Sequence, residues 1–336
     1  AVSEILSDKY HIDKPEVVIS SQMKSQHDTN DEQKQKEQKE EVVIAIEAQE
    51  PQFTFDQIIL SPAVLEELNY SIHFEKVRDK VYKEWGLLKI EPSPKLALNF
   101  HGDSGTGKTM AAHAIANAMG KKIILASYAE IESKYHGDGP KNVKKLFQLA
   151  EEQNALLFID EADSLLSRRL TNVTQGSEQA INSMRSQLLI QIEQFSGTVV
   201  FATNLASNYD SAFVTRIRSV HFEKPDLEMR KKLWNTMLLP TLPLDKDIDI
   251  NRLSSIDDIC GRDVKNAIVK AAVKTAIDGE TSISHKSIEN AIKSIIESNS
   301  KVSKNLSKSD EKRIVKKIKT KLHKSKNVYK KKRSKN

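Results

Sequence analysis

Apolar residues follow two spacings in turn along the middle of the chain, and these spacings predict alternating strands and helices. Mostly apolar runs of about five residues predict buried strands at 96–100, 122–126, 155–159 and 198–202. Apolar residues at helical spacing, between these runs, predict helices over 109–119, 141–153 and 179–192. A short last strand is expected to begin near Val220 and to include His221 and Phe222. Such alternation is typical of a parallel sheet with helices on both faces.

The strand pattern stops at Pro225 and Asp226. Beyond this point only helical spacing recurs, over residues 227–239, 263–278 and 284–297. On the amino-terminal side, a helix is predicted over 63–85. The chain therefore divides into four predicted parts: a largely polar arm at 1–52, an α/β domain at 53–226, a small all-α domain at 227–298 and a basic tail at 299–336.

Both ends of the chain are too polar to bury a core. Residues 28–41 contain no apolar side chain except a threonine methyl, which predicts a solvated linker or an exposed helix. Apolar patches at 17–19 and 42–46 flank it, and each predicts either a marginal strand or a strand that docks a partner. Residues 301–336 hold sixteen Lys or Arg against two acidic residues, so the net charge of +6 combines a +14 tail with a remainder of −8.

The composition excludes several classes of protein. No stretch of eighteen apolar residues occurs, so a membrane-spanning helix is not expected. The first residues lack a basic flank and an apolar run, so a secretion signal is not expected either. Cys260 is the single cysteine, which excludes an intrachain disulfide and favours a reducing cytoplasmic location. We interpret Cys260 as a small apolar filler, with a reactive thiol as the alternative.

The segment between the first strand and its helix carries a phosphate-binding motif. It fits G-x-x-x-x-G-K-[ST] and consists of Gly102, Asp103, Ser104, Gly105, Thr106, Gly107, Lys108 and Thr109. Glycines allow a tight turn, so that backbone N–H groups and the helix start can face one anion. Lys108 can then reach the β- and γ-phosphates of a nucleotide, and the Thr109 hydroxyl can bind Mg²⁺. The alternative, a glycine-rich surface turn, requires neither the strand nor the helix.

Polar residues follow two other predicted strands, at the edge where ligands bind in parallel sheets. Asp160 and Glu161 come directly after the apolar run 156–159. Asp160 is a predicted magnesium ligand, and Glu161 can orient and polarise a water molecule for attack on a phosphate. Asn204 follows the next strand and can face the γ-phosphate, although a strand-end asparagine is also common in turns.

Residues 53–298 resemble an AAA+ ATPase, of the AAA branch that remodels proteins. The resemblance rests on Gly102–Thr109 as the Walker A loop, on Asp160 and Glu161 as the Walker B pair and on Asn204 as sensor one. It implies an α/β fold: the P-loop NTPase parallel sheet of the AAA+ large domain, followed by a small all-α lid, with extended tails at both ends. It also implies ATP and Mg²⁺ as cofactors.

In this family, the arginine that ends the second region of homology reaches the nucleotide of the neighbouring subunit. That region is recognisable here at 203–216, and Arg216 matches the arginine best. A neighbour's guanidinium offsets the charge that develops on the γ-phosphoryl group. Arg218 is a second candidate, because the usual Arg-Arg-Phe-Asp run is here Thr-Arg-Ile-Arg. The alternative for Arg218 is a surface cation before an edge strand.

The same resemblance implies further contacts. Arg262 matches sensor two, the lid arginine that contacts the nucleotide, with an ordinary helix-start arginine as the alternative. Backbone near Ile58 matches the segment that holds adenine. Tyr135, between Lys134 and His136, matches the aromatic residue of the first pore loop, which grips an extended peptide. The alternative is a tyrosine packed under the following helix.

The resemblance implies a homo-oligomeric ring, expected to be a hexamer, that hydrolyses ATP and threads a protein client through its pore. Compact bacterial AAA ATPases, including relatives of the HORMA-domain remodellers, are similar in overall plan. One alternative is an AAA+ loader or translocase that uses the basic tail on nucleic acid, and another is a non-motor P-loop enzyme such as a kinase. Residues 301–336 could contact a polyanion through counterion release or serve as a solubilising tail.

Overall fold

A five-stranded parallel sheet lies at the centre of the fold. The computed structural model describes residues 46–92, 94–132, 139–168, 176–204 and 209–300. The strands are β1 Leu96–His101, β2 Lys122–Ser127, β3 Ala155–Asp160, β4 Thr198–Thr203 and β5 Arg218–His221. Their order across the sheet is β2-β3-β4-β1-β5, and all four pairings are parallel. Consecutive strands therefore connect through crossovers, as the alternating pattern predicts.

Helices cover both faces of the sheet. They are α1 Pro62–Asp79, α2 Lys108–Ala118, α3 Tyr128–Glu132, α4 Gly139–Glu152, α5 Asp163–Leu166, α6 Gly176–Gln194 and α7 Ser211–Val214. Side chains alternate along each strand, so Val200 packs in the cluster with α1 and α2, whereas Val199 and Phe201 pack with α4 and α6. Because both faces are buried, each central strand is apolar along its length.

A bundle of helices follows the sheet. It consists of α8 Leu227–Met237, α9 Ile250–Ser254, α10 Gly261–Ile277 and α11 at residues 285–300. Trp234 is fully buried in its core, among apolar residues of α10 and α11. Asp226 caps α8 by accepting from Met229 N at 2.8 Å, which explains why the helix begins directly after the last strand region.

The predicted fold class is confirmed, and the differences concern short elements. The last strand begins at Arg218, two residues before Val220, because Arg218 pairs with Leu98 of β1 and extends the ladder. Helices α3, α5, α7 and α9 have four or five residues each, too few for a helical period to be visible in the sequence. Among the helices that the structure describes, none is long and apolar enough to cross a bilayer.

Residues 46–52 lie along the outer strand β2. The backbone of Gln49 exchanges two hydrogen bonds of 2.9 Å with Ile123, in antiparallel orientation. Ala48 N donates to Gln153 Oε1 at 2.8 Å, and Gln52 N donates to His113 Nδ1 at 3.2 Å. This segment therefore covers part of β2, an edge strand of the sheet.

Arg230 organises the helical bundle, although no local sequence pattern predicts this role. Its side chain is buried, and it donates to Ser254 O at 2.7 Å, Pro225 O at 3.0 Å and Asp257 Oδ1 at 2.6 Å. These contacts join α8 to the segment that follows α9. Arg230 therefore ties the start of α8 to the chain at the end of α9.

We expect Arg230→Met to lower the free energy of unfolding by about 2 to 3 kcal/mol, because two buried carbonyls lose a charged donor. Chemical denaturation followed by circular dichroism measures the change. Lys231→Met is the matched control, since Lys231 forms a half-exposed ion pair with Glu228, one turn away on the same helix. Equal effects of the two substitutions would contradict this role for Arg230.

Candidate functional site

Glycine is required at several points of the loop between β1 and α2. Gly102, Gly105 and Gly107 have φ values of +140°, +87° and +101°, where side chains with a Cβ are strained. A Cβ at Gly102 would overlap the carbonyl oxygen of Phe222, and one at Gly105 would lie 2.6 Å from Cys260 Sγ. Glycine is therefore needed here for two reasons. The turn requires positive φ values, and the chain at Phe222 and Cys260 approaches the loop too closely to leave room for a Cβ.

Lys108 begins α2 and points back into this loop. Its ammonium donates to Gly102 O at 2.5 Å, to Asp103 O at 2.9 Å and to Asn204 Oδ1 at 3.1 Å. Burial lowers the pKa of Lys108, while the carboxylates of Asp160, Asp103 and Asp163 act in the opposite direction. The loop carbonyls thus bind the buried Lys108 ammonium at the position where a loop of this kind would bind a phosphate.

Carboxylates and an amide gather at the carboxyl ends of β3 and β4. Glu161 N donates to Asp160 Oδ1 at 2.8 Å, and Asn204 N donates to Asp163 Oδ1 at 3.0 Å. Glu161 has φ of +53°, a conformation that non-glycine residues rarely adopt and that is common at functional sites. The predicted residues Lys108, Asp160, Glu161 and Asn204 therefore lie together at one edge of the sheet.

The helical bundle reaches the same loop through the start of α10. Arg262 Nη1 donates to Ser104 Oγ at 2.7 Å, so this predicted nucleotide contact lies at the loop. Cys260 is buried, as a filler would be, but its thiol also donates to Asp263 Oδ2 at 2.9 Å. Burial, and then this hydrogen bond, raise the pKa of Cys260 to about 11, so the thiol is protonated at neutral pH.

The remaining predicted loop residues lie around this centre. Ile58 is near Gly107, since a Cβ added to that glycine would lie 3.8 Å from Ile58 Cγ2. Thr106 Oγ1 donates to Asp103 O at 2.8 Å and so closes the turn. Thr109 is exposed in the first turn of α2, where its hydroxyl is accessible.

The two predicted finger arginines lie away from the loop of their own chain. Arg216 donates to Glu193 Oε1 at 2.6 Å and to Ala212 O at 2.9 Å. Arg218 donates to Glu67 Oε2 at 3.3 Å, and its guanidinium lies 4.1 Å from the ring centroid of Tyr70. The register of β5 places Arg218 three residues before His221, hence roughly 10 Å from the strand end that faces the loop.

The predicted pore residues Lys134, Tyr135 and His136 lie outside the described residues, between α3 and α4.

Lys224 and its partner Asp258 lie near the loop, although no sequence pattern predicts them there. Lys224 Nζ is 3.1 Å from Asp103 Oδ2 and also forms an ion pair with Asp258. No local pattern marks this pair of contacts, because the partners are far apart in the sequence.

Comparison with known proteins identifies the α/β part. Residues 98–224 match the model of the AAA family, the ATPase family associated with various cellular activities. The 26S proteasome regulatory subunit 4 homolog of Schizosaccharomyces pombe is 30% identical over 219 residues, which are 62% of this chain and 47% of that protein. The counterpart from Dictyostelium discoideum is 27% identical over 243 residues, which are 70% of this chain and 54% of that protein.

An archaeal relative extends the match. The proteasome-activating nucleotidase of Saccharolobus islandicus is 28% identical over 256 residues, which are 74% of this chain and 63% of that protein. The chain thus spans between about half and just under two thirds of these relatives. The finer likeness to HORMA-domain remodellers stays a prediction. Over residues 98–224, the family model, the sheet and the glycine loop agree, and this part of the chain is an ATPase domain of the AAA family.

Proposed function

We propose that this chain is one subunit of a ring-forming, magnesium-dependent ATPase that uses ATP hydrolysis to unfold, remodel or disassemble a protein client. The observation that carries the proposal is the convergence of Lys108, Asp160, Glu161 and Asn204 at the glycine loop. Phosphoryl transfer requires mainly positioning and charge, and these groups provide both. We expect the ring to be a hexamer.

The residues present fit a nucleotide and its metal. The glycines leave space where any Cβ would intrude, and the Lys108 ammonium already engages loop oxygens that a phosphate could replace. Thr109 and Asp160 would hold Mg²⁺, which prefers oxygen ligands and neutralises phosphate charge when bound. In this assignment Glu161 orients the attacking water, Asn204 faces the γ-phosphate, and Arg262 contacts the nucleotide from the helical bundle.

The position of Arg216 supports action between subunits. Its guanidinium is anchored by Glu193 of α6 and cannot serve the loop of its own chain without leaving that contact. A neighbouring subunit that docks against this face would receive the guanidinium at its own γ-phosphate. ATP hydrolysis would then depend on assembly.

The names of the relatives favour a protein client. They are a proteasome regulatory subunit and a proteasome-activating nucleotidase, and both names refer to a machine that acts on proteins. The nucleic-acid alternative depends on residues 301–336, which lie outside the described residues. The two alternatives can be distinguished by what a ring stalled in hydrolysis retains, a protein or a nucleic acid.

A stalled variant tests this function directly. Glu161→Gln purified with ATP from cell extract should retain a protein client, and the additional change Tyr135→Ala should release it because the pore loses its aromatic grip. Mass spectrometry and nucleic-acid staining identify what is retained. Trp85→Ala, at an exposed aromatic residue outside that loop, is the matched control and should retain the client. Retention of DNA or RNA that survives Tyr135→Ala would favour the nucleic-acid alternative.

A further inference from the structure

Lys224 joins the linker in which it lies to two other parts of the molecule. These are the phosphate loop, residues 102–109, and the helical bundle. Lys224 lies in the linker Phe222–Asp226, which leads from β5 to α8. Phe222 N donates to His101 O at 2.8 Å, so this linker runs beside the start of the loop. From there, the Lys224 ammonium lies 3.1 Å from Asp103 Oδ2 and also contacts Asp258 Oδ1.

Asp103 is an unexpected residue for a loop that would hold phosphates. Its carboxylate has the same sign as a nucleotide, and it stands next to the carbonyl that Lys108 contacts at 2.9 Å. Its charge is felt at Lys108, where it opposes the effect of burial on the pKa of that ammonium. Left unpaired, Asp103 would repel an incoming nucleotide. Lys224 supplies the counter-charge.

Asp258 begins the segment that carries the bundle's contacts to the loop. Its φ of +63° is rare for a non-glycine residue, so neighbouring contacts must hold the chain there. Asp257, one residue earlier, has an exposed side chain that accepts a hydrogen bond of 2.6 Å from the buried Arg230 of α8. Further along the same segment, Cys260 Sγ lies 3.5 Å from Ser104 O, and Arg262 donates to the hydroxyl of the same serine. The two adjacent aspartates thus face different cations, one within the bundle and one in the linker.

We propose that Lys224 is a positioning residue for nucleotide binding: it neutralises Asp103 on the phosphate loop and fastens residues 258–262, with Arg262, beside that loop. The inference rests on the proposed ATP site. All three side chains of the bridge are substantially exposed, so its contribution to overall stability is small. The main effect of the bridge is to lower the negative charge at the loop that a nucleotide approaches.

We expect Lys224→Met to raise the dissociation constant of Mg²⁺ and a fluorescent N-methylanthraniloyl ATP about three- to tenfold, because Asp103 then repels the phosphates. The turnover number at saturating ATP should change less than twofold. Raising the salt concentration should shrink the difference in affinity, since the groups are accessible to ions. Lys224→Arg should bind as the original protein does. Lys246→Met, at an exposed lysine of the bundle, is the matched control.

The decisive comparison adds Asp103→Asn to Lys224→Met. The double variant should regain most of the original affinity, because the repelling charge is gone together with its partner, and the remaining deficit measures the lost contact between Lys224 and Asp258. A lysine that only supported the fold would leave the double variant as weak as the single one, and that result would overturn the proposal. Unchanged affinity in Lys224→Met would overturn it as well.

A measurement without nucleotide separates this proposal from the proposed function. A double-mutant cycle on Lys224 and Asp103, from chemical denaturation of the nucleotide-free protein, should show a coupling of about two- to fivefold in the unfolding constant. Zero coupling contradicts the bridge, whatever the nucleotide does. Failure of the unmutated protein to bind the fluorescent ATP, with the coupling intact, contradicts the ATP site instead.

Discussion

Glu161→Gln is expected to reduce ATP hydrolysis by about 10²- to 10⁴-fold while ATP binding persists. The substitution keeps the shape of the side chain and the backbone hydrogen bond from residue 161 to Asp160 Oδ1. It removes the negative charge that would polarise the attacking water. Glu161 follows β3 directly in a left-handed backbone conformation, and this places its Cα at the sheet edge. Phosphate release at saturating ATP, together with a binding titration, measures the two effects separately.

Two further variants make the Glu161 result interpretable. Lys108→Ala should bind no ATP, because the buried ammonium that faces the loop is lost. Glu152→Gln, at an exposed carboxylate near the end of α4, should hydrolyse ATP as the original protein does. If Glu161→Gln turned over ATP at the original rate, the assignment of this carboxylate to the attacking water would be wrong.

Arg216→Ala is expected to lower the turnover number by about 10³-fold without loss of ATP binding. The guanidinium lies with Glu193 and Ala212, away from the loop of its own chain, so its removal leaves the binding groups in place. Under the proposed function, the substitution removes the positive charge that would act on a neighbouring site as charge develops on the γ-phosphoryl group. Arg252→Ala, at an exposed arginine of the bundle paired with Glu289, should have little effect.

Mixing two inactive variants decides whether Arg216 acts between subunits. A ring that contains both Arg216→Ala and Glu161→Gln subunits has interfaces at which an intact Glu161 meets an intact neighbouring Arg216. Hydrolysis should therefore return on mixing, in proportion to the number of such interfaces. No recovery in mixed rings would show that the arginine acts within its own chain. Full-speed hydrolysis by strictly monomeric protein would contradict the ring itself.

The sheet and its phosphate loop could be predicted because each depends on residues that are neighbours in the sequence. A strand buried on both faces is apolar along its length, so 155–159 stands out from its surroundings. The loop stands out because several glycines precede a lysine and a helix. Asp160 and Glu161 follow from chain order alone, since the residues after a parallel strand lie at the edge where ligands bind.

The short helices and the buried arginine could not be predicted in this way. A helix of four residues such as α5 completes about one turn, so no repeat of apolar positions can reveal it. Arg230 resembles any surface arginine of an amphipathic helix until the carbonyls of Pro225 and Ser254 are seen around it. Its burial is decided by chain segments that α8 meets only after folding.

The sequence by itself therefore determined the kind of fold, the location of the phosphate loop and the identity of the acidic pair beyond β3, because each depends on residues close together in the chain. Only the tertiary structure decided that Lys108 meets Asn204, that Arg216 turns away from its own loop and that Lys224 joins Asp103 to Asp258. Such contacts join residues far apart in sequence. They are set by the order and register of the strands and by the way the helical bundle packs on the loop, and no local periodicity encodes either of these.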